Sequence, residues 1–200
     1  MRFLICVVSV VAGLIAPGTA GAVIFSWNPS SQVVSQGTPV SVDLVVSDLG
    51  GSALGAFDVN VSFVPGILGL SGVTFGSLLG DPITEALALS TPGGPGTVEL
   101  TEVSFLAPAD LLLLQSSSFS VATLQFDTLS VGSSPLDISI LSVSDANGGE
   151  LSATSQSGVV TVRTPVAEVA EPATLMLLTA GLVLTGGLAP VAAIVRRRRA

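Results

Sequence analysis

Apolar and polar residues alternate one by one over several stretches of this chain. In residues 57–63 the apolar side chains occupy every odd position, and the residues between them are Asp58, Asn60 and Ser62. A period of two places one set of side chains in a core and the other in water. The pattern therefore predicts a half-buried β-strand.

Six further stretches have the same strand character, and turn residues separate them at intervals of about 8 to 12 positions. These stretches are residues 24–27, 40–46, 98–105, 119–126, 136–143 and 158–162. The loops predicted between strands are residues 49–51, 91–96, 132–135 and 147–149, all rich in glycine, proline or asparagine. This number of strands predicts an all-β fold, an antiparallel two-sheet β-sandwich.

Two places in the pattern are irregular. Between Leu100 and Val103 the apolar positions shift by one residue, and a β-bulge near Thr101 and Glu102 would absorb the shift. The four leucines at 111–114 are too few to classify. They fit a buried strand, a helical turn or an edge strand.

A long apolar segment lies near the C-terminus. Residues 173–195 contain no charged side chain, and a run of about 20 apolar residues is long enough to cross a bilayer as a helix. Directly after it stand Arg196, Arg197, Arg198 and Arg199. Arginines hold the adjacent end of a membrane helix in the cytoplasm, so the body of the protein is predicted to lie outside. Residues 164–170 are predicted to be a flexible linker.

Residues 171–200 resemble the PEP-CTERM sorting signal of Gram-negative bacteria, in which a Pro-Glu-Pro motif, an apolar helix and arginines follow in that order. Here Glu171 and Pro172 precede the apolar segment. The resemblance implies cleavage by an exosortase-type membrane protease, with a stage in the inner membrane before transfer to the outer surface or extracellular matrix. Ala170 stands where the family has its first proline. A plain C-terminal membrane anchor without cleavage remains the alternative.

Residues 1–22 have the features of a secretory signal peptide. Arg2 precedes an apolar stretch at 3–16, and Ala20 and Ala22 supply the small residues of a cleavage site. A retained membrane helix is the alternative, although the stretch is short for a span. Cleavage after Ala22 would remove Cys6, the single cysteine, and with it any disulfide or thiol chemistry.

The predicted domain, residues 23–163, carries a one-sided charge. Residues 23–165 contain twelve acidic side chains and one cation, Arg163. Nucleic-acid binding is excluded, because phosphates require lysine or arginine. The acidity favours divalent cations or basic partners, or it serves only to keep a lysine-free surface soluble.

Most catalytic arrangements lack their residues. The chain has no histidine, tyrosine or lysine, which excludes Ser-His-Asp triads, Schiff bases and histidine metal sites. A hydrolase would need two carboxylates facing each other across a cleft. Glu99 and Glu102 are three residues apart, so a regular strand would place them on opposite faces. We therefore predict that the protein is not an enzyme.

One segment has the opening spacing of a calcium loop. Asp145 and Asn147 place oxygens at alternate positions before Gly148, but the distant glutamate of an EF-hand is missing. A hairpin turn explains the same residues. Weak calcium binding, completed by Asp48 or Asp81 from another loop, remains a hypothesis.

Two stretches of the predicted domain resemble cohesins, the β-sandwich modules that bind dockerins. The first reads VSVDLVVSDLGGSALGAFDVNVSFVPGILGLSGVTFGSLLG, and the second reads ATLQFDTLSVGSSPLDISILSVSDANGGELSATSQSGVVTV. The order of strands and glycine turns in both stretches is similar to that family. The resemblance implies a jelly-roll sandwich and, for dockerin pairing, an apolar sheet face with a polar rim.

Three functions follow from these observations. The PEP-CTERM resemblance implies a non-catalytic envelope protein that associates with extracellular polysaccharide. The cohesin resemblance implies instead a protein-binding module with a dockerin partner. The third hypothesis, a carboxylate-based polysaccharide hydrolase, depends on Glu99 and Glu102 being brought together.

Overall fold

A computed structural model describes residues 21–165, which contain eleven β-strands and one short α-helix. The strands of the first half are β1 (Val23–Asn28), β2 (Ser31–Ser35), β3 (Val40–Ser47), β4 (Leu54–Ser62), β5 (Leu68–Phe75) and β6 (Ala86–Gly94). The second half contains β7 (Thr97–Ser104), α1 (Pro108–Leu114), β8 (Ser118–Thr128), β9 (Gly132–Asp145), β10 (Ala153–Ser155) and β11 (Gly158–Arg163).

The strands form two sheets that face each other across one core. The five-stranded sheet has the order β10-β1-β3-β8-β5, and the six-stranded sheet has the order β2-β11-β9-β4-β7-β6. Most neighbours are antiparallel, as predicted, but β1 pairs with β10 and β2 pairs with β11 in parallel. The all-β two-sheet sandwich is thus confirmed, with two parallel pairs that the sequence pattern did not predict.

Aromatic side chains join the two sheets through the core. Phe25 of β1 and Phe57 of β4 lie with their ring centroids 6.0 Å apart, and both are buried. The indole nitrogen of Trp27 donates a hydrogen bond to the carbonyl oxygen of Leu136, 2.9 Å away on the opposite sheet. Gly158 packs directly on the Trp27 ring, where a Cβ would lie 2.8 Å from Cδ1. This contact allows β11 to approach the indole closely.

The predicted strands are confirmed, but the prediction missed four others. Residues 31–35, 68–75, 86–94 and 153–155 also form strands. Two predicted loops, 91–96 and 132–135, lie partly or wholly within β6 and β9. Pro92 is tolerated because β6 is an edge strand, and Pro135 lies where β9 pairs with β11 only. The turns at 49–51 and 147–149 are as predicted.

The bulge predicted near Thr101 and Glu102 is wrong. The pairing of β7 with β4 runs without a shift from Thr97 to Val103. The apolar phase changes in the sequence because Glu102 takes the inward position after Leu100, and Val103 faces outward. A buried carboxyl group, rather than an inserted residue, explains the pattern.

The leucines at 111–114 belong to α1, so the helical option is the correct one. Leu111 is buried, whereas the next three leucines are exposed. The helix is anchored at its C-terminal end by Gln115, whose side chain accepts a hydrogen bond from the Leu54 N–H at 2.7 Å and donates one to the Leu54 carbonyl at 2.8 Å. The Gln115 side-chain amide also donates a hydrogen bond to the Leu78 carbonyl at 3.1 Å.

The predicted membrane helix at 173–195, the sorting signal and most of the signal peptide lie outside the described residues. Within residues 21–165, no helix is long and apolar enough to cross a membrane.

Candidate functional site

The two outer faces of the sandwich differ in their exposed apolar side chains. No strand of the five-stranded sheet carries an exposed large hydrophobic residue. Its outer face is mainly polar, with Ile24 and Val45 half-buried, and includes a hydrogen bond of 2.6 Å from the Thr123 hydroxyl to the Asp43 carboxylate. By contrast, the strands of the six-stranded sheet expose Val33, Leu87, Leu89, Val103 and Leu141.

Three of these exposed side chains lie near the β6 edge of the six-stranded sheet, together with Phe105, which directly follows β7. Leu87 of β6 is directly opposite Val103 of β7, and Leu89 is the next residue of β6 on the same face. Phe105 continues this face because its N–H donates to the Glu85 carbonyl at 2.8 Å and so extends the β6–β7 pairing. Their exposed fractions are 46% for Leu87, 49% for Leu89, 36% for Val103 and 67% for Phe105. We call these four residues the outer-face cluster.

Polar and acidic residues border the outer-face cluster. Leu89 of β6 is paired with Thr101 of β7, which is paired in turn with Asp58 of β4. The Thr101 hydroxyl donates a hydrogen bond to the Asp58 carboxylate at 3.2 Å. Two residues before Thr101 along β7, Glu99 is paired with Asn60 of β4. The arrangement is an apolar patch with an acidic rim. It suits binding to an apolar surface that is bordered by lysine or arginine, because opposite charges at a rim favour encounter.

The two glutamates considered for hydrolysis do not face each other. Glu99 lies on the outer face, whereas Glu102 points into the core between Phe57 and Ala88 of the adjacent strands. Both carboxyl oxygens of Glu102 are buried and have no hydrogen-bond partner among residues 21–165. Burial raises the pKa of Glu102 from 4.5 to about 8, because a charged carboxylate is disfavoured away from water. The opposite orientations predicted for the two side chains are confirmed, and they do not form a carboxylate pair.

The Asp145 carboxylate closes a hairpin turn. Its Oδ1 accepts hydrogen bonds from the N–H groups of Asn147 and Gly149, both at 2.8 Å. The turn explains the spacing that also suggested calcium. Asp81 has a similar local role, since it accepts from the N–H groups of Ile83 and Thr84, and these bonds lower its pKa. Among residues 21–165 there is no group of three or more acidic, histidine or cysteine side chains that could hold a metal ion.

The residues of the predicted sorting and cleavage motifs are not brought into any described site. Ala22 directly precedes β1. The others lie outside residues 21–165, namely Ala20, Glu171, Pro172, Arg196, Arg197, Arg198 and Arg199.

The outer-face cluster was missed at the level of sequence. Residues 86–89 alternate alanine with leucine, and both residue types are apolar. The segment therefore lacks the apolar–polar alternation that identifies a half-buried strand. Nothing in the sequence indicated that the leucines would face solvent.

Comparison with known proteins shows a likeness at the level of fold. No protein-family model matches the chain, and no curated protein matches it. Among solved structures, the seventh ScaB type I cohesin from Pseudobacteroides cellulosolvens is similar, with a TM-score of 0.60 and 13% identity over 74% of this chain and 96% of that one.

Two further solved structures have the same fold. A chain of a type I cohesin–dockerin complex from Clostridium thermocellum gives a TM-score of 0.59 at 10% identity, covering 72% of this chain and 100% of that one. A non-cellulosomal cohesin from the archaeon Archaeoglobus fulgidus gives 0.52 at 16% identity, covering 72% and 91%. Residues 21–165 therefore have a cohesin-like fold.

Proposed function

We propose that this chain is a non-catalytic protein-binding module that engages a dockerin-like partner through the outer-face cluster. The observation that carries the proposal is the concentration of exposed large apolar side chains on one face of a cohesin-like fold. Similar structures of this fold were solved as complexes with dockerins from Clostridium thermocellum.

The chemistry of the face agrees with binding rather than with catalysis. Leu87, Leu89, Val103 and Phe105 offer apolar area that a partner could cover, and such burial contributes about 25 cal/mol for each Å² removed from water. Asp58 and Glu99 at the rim would attract a basic partner and make the association rate sensitive to salt. The face carries no histidine, cysteine or lysine that could act as a nucleophile.

A capture experiment with paired variants tests this function. The full chain in detergent is used as bait against the envelope and extracellular fractions of its source cells. The double variant Val103→Ser with Phe105→Ser should bind the captured protein at least about tenfold more weakly, because it removes apolar contact area. Val45→Ser, on the outer face of the five-stranded sheet, should bind like the parent chain.

The same experiment separates protein from glycan. Recovery of polysaccharide with no protein would favour the matrix function implied by the PEP-CTERM resemblance and would contradict a dockerin-like partner. Equal capture by the parent and by the Val103→Ser, Phe105→Ser variant would show that binding uses another surface.

We further propose that the chain is exported and sorted through its C-terminal tail. The observation in favour is the order of Glu171-Pro172, the apolar segment 173–195 and the arginine cluster. Mass mapping of the C-terminus in membrane and extracellular fractions tests this step. An extracellular form that ends near Glu171 is expected. Finding only the full-length chain in the membrane would favour the plain anchor.

A further inference from the structure

Within residues 21–165, strand β6 has no neighbour on one side of its backbone and forms an edge of the six-stranded sheet. It has one neighbour, β7, and the bond from the Phe105 N–H to the Glu85 carbonyl fixes which residues point toward that neighbour. In an antiparallel pair the hydrogen-bonded residues alternate, so Leu87 and Leu89 also bond to β7. The backbone groups of Ala86, Ala88 and Ser90 consequently point away from the sheet.

The free edge is short and sharply bounded. At its start the Ala86 N–H is already bonded to the Asp81 carbonyl at 2.9 Å. At its end Pro92 has no N–H, and the β6–β7 register shifts between Pro92 and Gly94. Between these limits the available groups are the carbonyl of Ala86 and both the N–H and the carbonyl of Ala88 and Ser90.

This edge lacks the features that usually protect edge strands. Residues 86–91 contain no charged residue, no proline and no bulge. Two of the other sheet edges in the described residues are less available. β10 has three residues, and the pairing of β5 with β8 is interrupted by a bulge between Leu70 and Gly72. β2 has five residues, about as many as the free stretch of β6, but it lies at the opposite edge from the outer-face cluster.

We propose that β6 pairs with β6 of a second copy of this chain, antiparallel and centred on Ala88. In this register each Ala88 N–H donates to the partner's Ala88 carbonyl, and each Ser90 N–H donates to the partner's Ala86 carbonyl. These four bonds use every free N–H donor of the edge and leave the bond from Ala86 to Asp81 intact. The contact is the same on both chains, as two-fold symmetry requires.

The side chains of this register are also self-complementary. Leu87 of one copy lies opposite Leu89 of the other, twice, on the outer face, and these are the closer, non-hydrogen-bonded pairs of an antiparallel ladder. Each leucine is about half exposed in the single chain, so the pairing covers apolar surface. Glu85 of one copy falls opposite Thr91 of the other, so no carboxylates oppose each other along the new pair.

Self-pairing through β6 does not require the dockerin-like partner. Pairing at β6 leaves Val103 and Phe105 on the outer face and joins two outer-face clusters side by side. A partner that binds the pair would meet two clusters at once.

Engineered cysteines test the register directly. Full-length chains in detergent carry Cys6→Ser so that each variant has one thiol, and Leu87→Cys chains are mixed with Leu89→Cys chains under mild oxidation. Positions 87 and 89 would then have Cα atoms about 4.5 Å apart, within the range for a disulfide. Two copies of the same variant would place their cysteines diagonally, about 7–8 Å apart.

The mixture should therefore form several-fold more cross-linked dimer than either variant alone. Equal yields, or no dimer in the mixture, would overturn the proposal.

A backbone variant provides the second test. Ala88→Pro removes the free N–H of Ala88 without touching a bond to β7, and losing two hydrogen bonds per dimer should weaken self-association about 30-fold. Ala88→Ser retains the N–H and should associate like the parent. If Ala88→Pro is folded, as judged by circular dichroism, and cross-links as well as the parent, the proposal is wrong. If it does not fold, the cysteine yields decide. Ala88→Pro leaves Val103 and Phe105 unchanged, so failure of self-association can be told apart from failure of partner binding.

Discussion

Replacing Glu102 by glutamine should make the fold more stable at neutral and alkaline pH. Glu102 is fully buried, and its neighbours on the adjacent strands are Phe57 and Ala88. Its two carboxyl oxygens have no hydrogen-bond partner in the part of the chain that the structure describes. The single cation of residues 21–165, Arg163, lies on β11, three strands away in the same sheet. The folded protein therefore holds this carboxyl in its protonated form, and burial raises its pKa to about 8.

The free energy of unfolding depends on pH because the folded and the unfolded chain bind the Glu102 proton with different pKa values. Below pH 4.5 the carboxyl is protonated in both the folded and the unfolded chain, so it adds no pH dependence. Between pH 4.5 and pH 8 the unfolded chain releases the proton while the folded chain keeps it, and stability falls with rising pH by about 1.4 kcal/mol for each pH unit. The loss reaches at most about 5 kcal/mol near pH 8 and then levels off.

Urea unfolding at several pH values measures this loss. Trp27 is the single tryptophan and is buried, so its fluorescence reports unfolding. The free energy of unfolding of Glu102→Gln minus that of the parent should be near zero at pH 4.5 and rise steadily to pH 8. Glu99→Gln, on the outer face of the same strand, should keep the steep pH dependence of the parent. A difference between Glu102→Gln and the parent that does not change with pH would refute the reasoning.

Three other substitutions should weaken contacts that stabilise the sandwich and its turns. Trp27→Phe should lower the free energy of unfolding by about 1–3 kcal/mol in urea titrations monitored by circular dichroism, because the Leu136 carbonyl loses its buried donor. Gly55→Ala should lower it by about 1–3 kcal/mol, since the added Cβ would collide with the Asp145 carbonyl oxygen. Gly66→Ala, where nothing lies within 4 Å, is the matched control and should melt like the parent. Asp145→Ala should lower the melting temperature because two N–H bonds of the turn are lost, while added calcium should leave the parent's melting temperature unchanged.

The sequence predicted those strands whose two sides meet different surroundings. β3 and β4 have one side in the core and the other in water, so their apolar residues alternate regularly. β6 lacks this signal because the alanines and leucines of its first half are apolar on both sides, and the proline and glycines at its end resemble a loop. β5 was missed because Gly69 and Gly72 interrupt its pattern.

The candidate site was less predictable than the fold. Whether Leu87 and Leu89 are covered or exposed depends on which strand occupies the sheet edge, and that is decided by pairing between distant segments. Phe105 lies at the end of a predicted strand, yet the chain continues into α1 just beyond it and leaves the ring exposed. The burial of Glu102 could be predicted from strict alternation after Leu100, but a charged residue at an inward position suggested a bulge instead.

Hydrogen–deuterium exchange of the chain, alone and bound to the protein it captures, tests the binding account most directly. The account predicts that the partner slows exchange in β6, β7 and residues 105–107, where the outer-face cluster lies, and leaves β1, β3 and β8 of the five-stranded sheet unchanged. Protection confined to the five-stranded sheet, or no protection of β6 and β7, would contradict it.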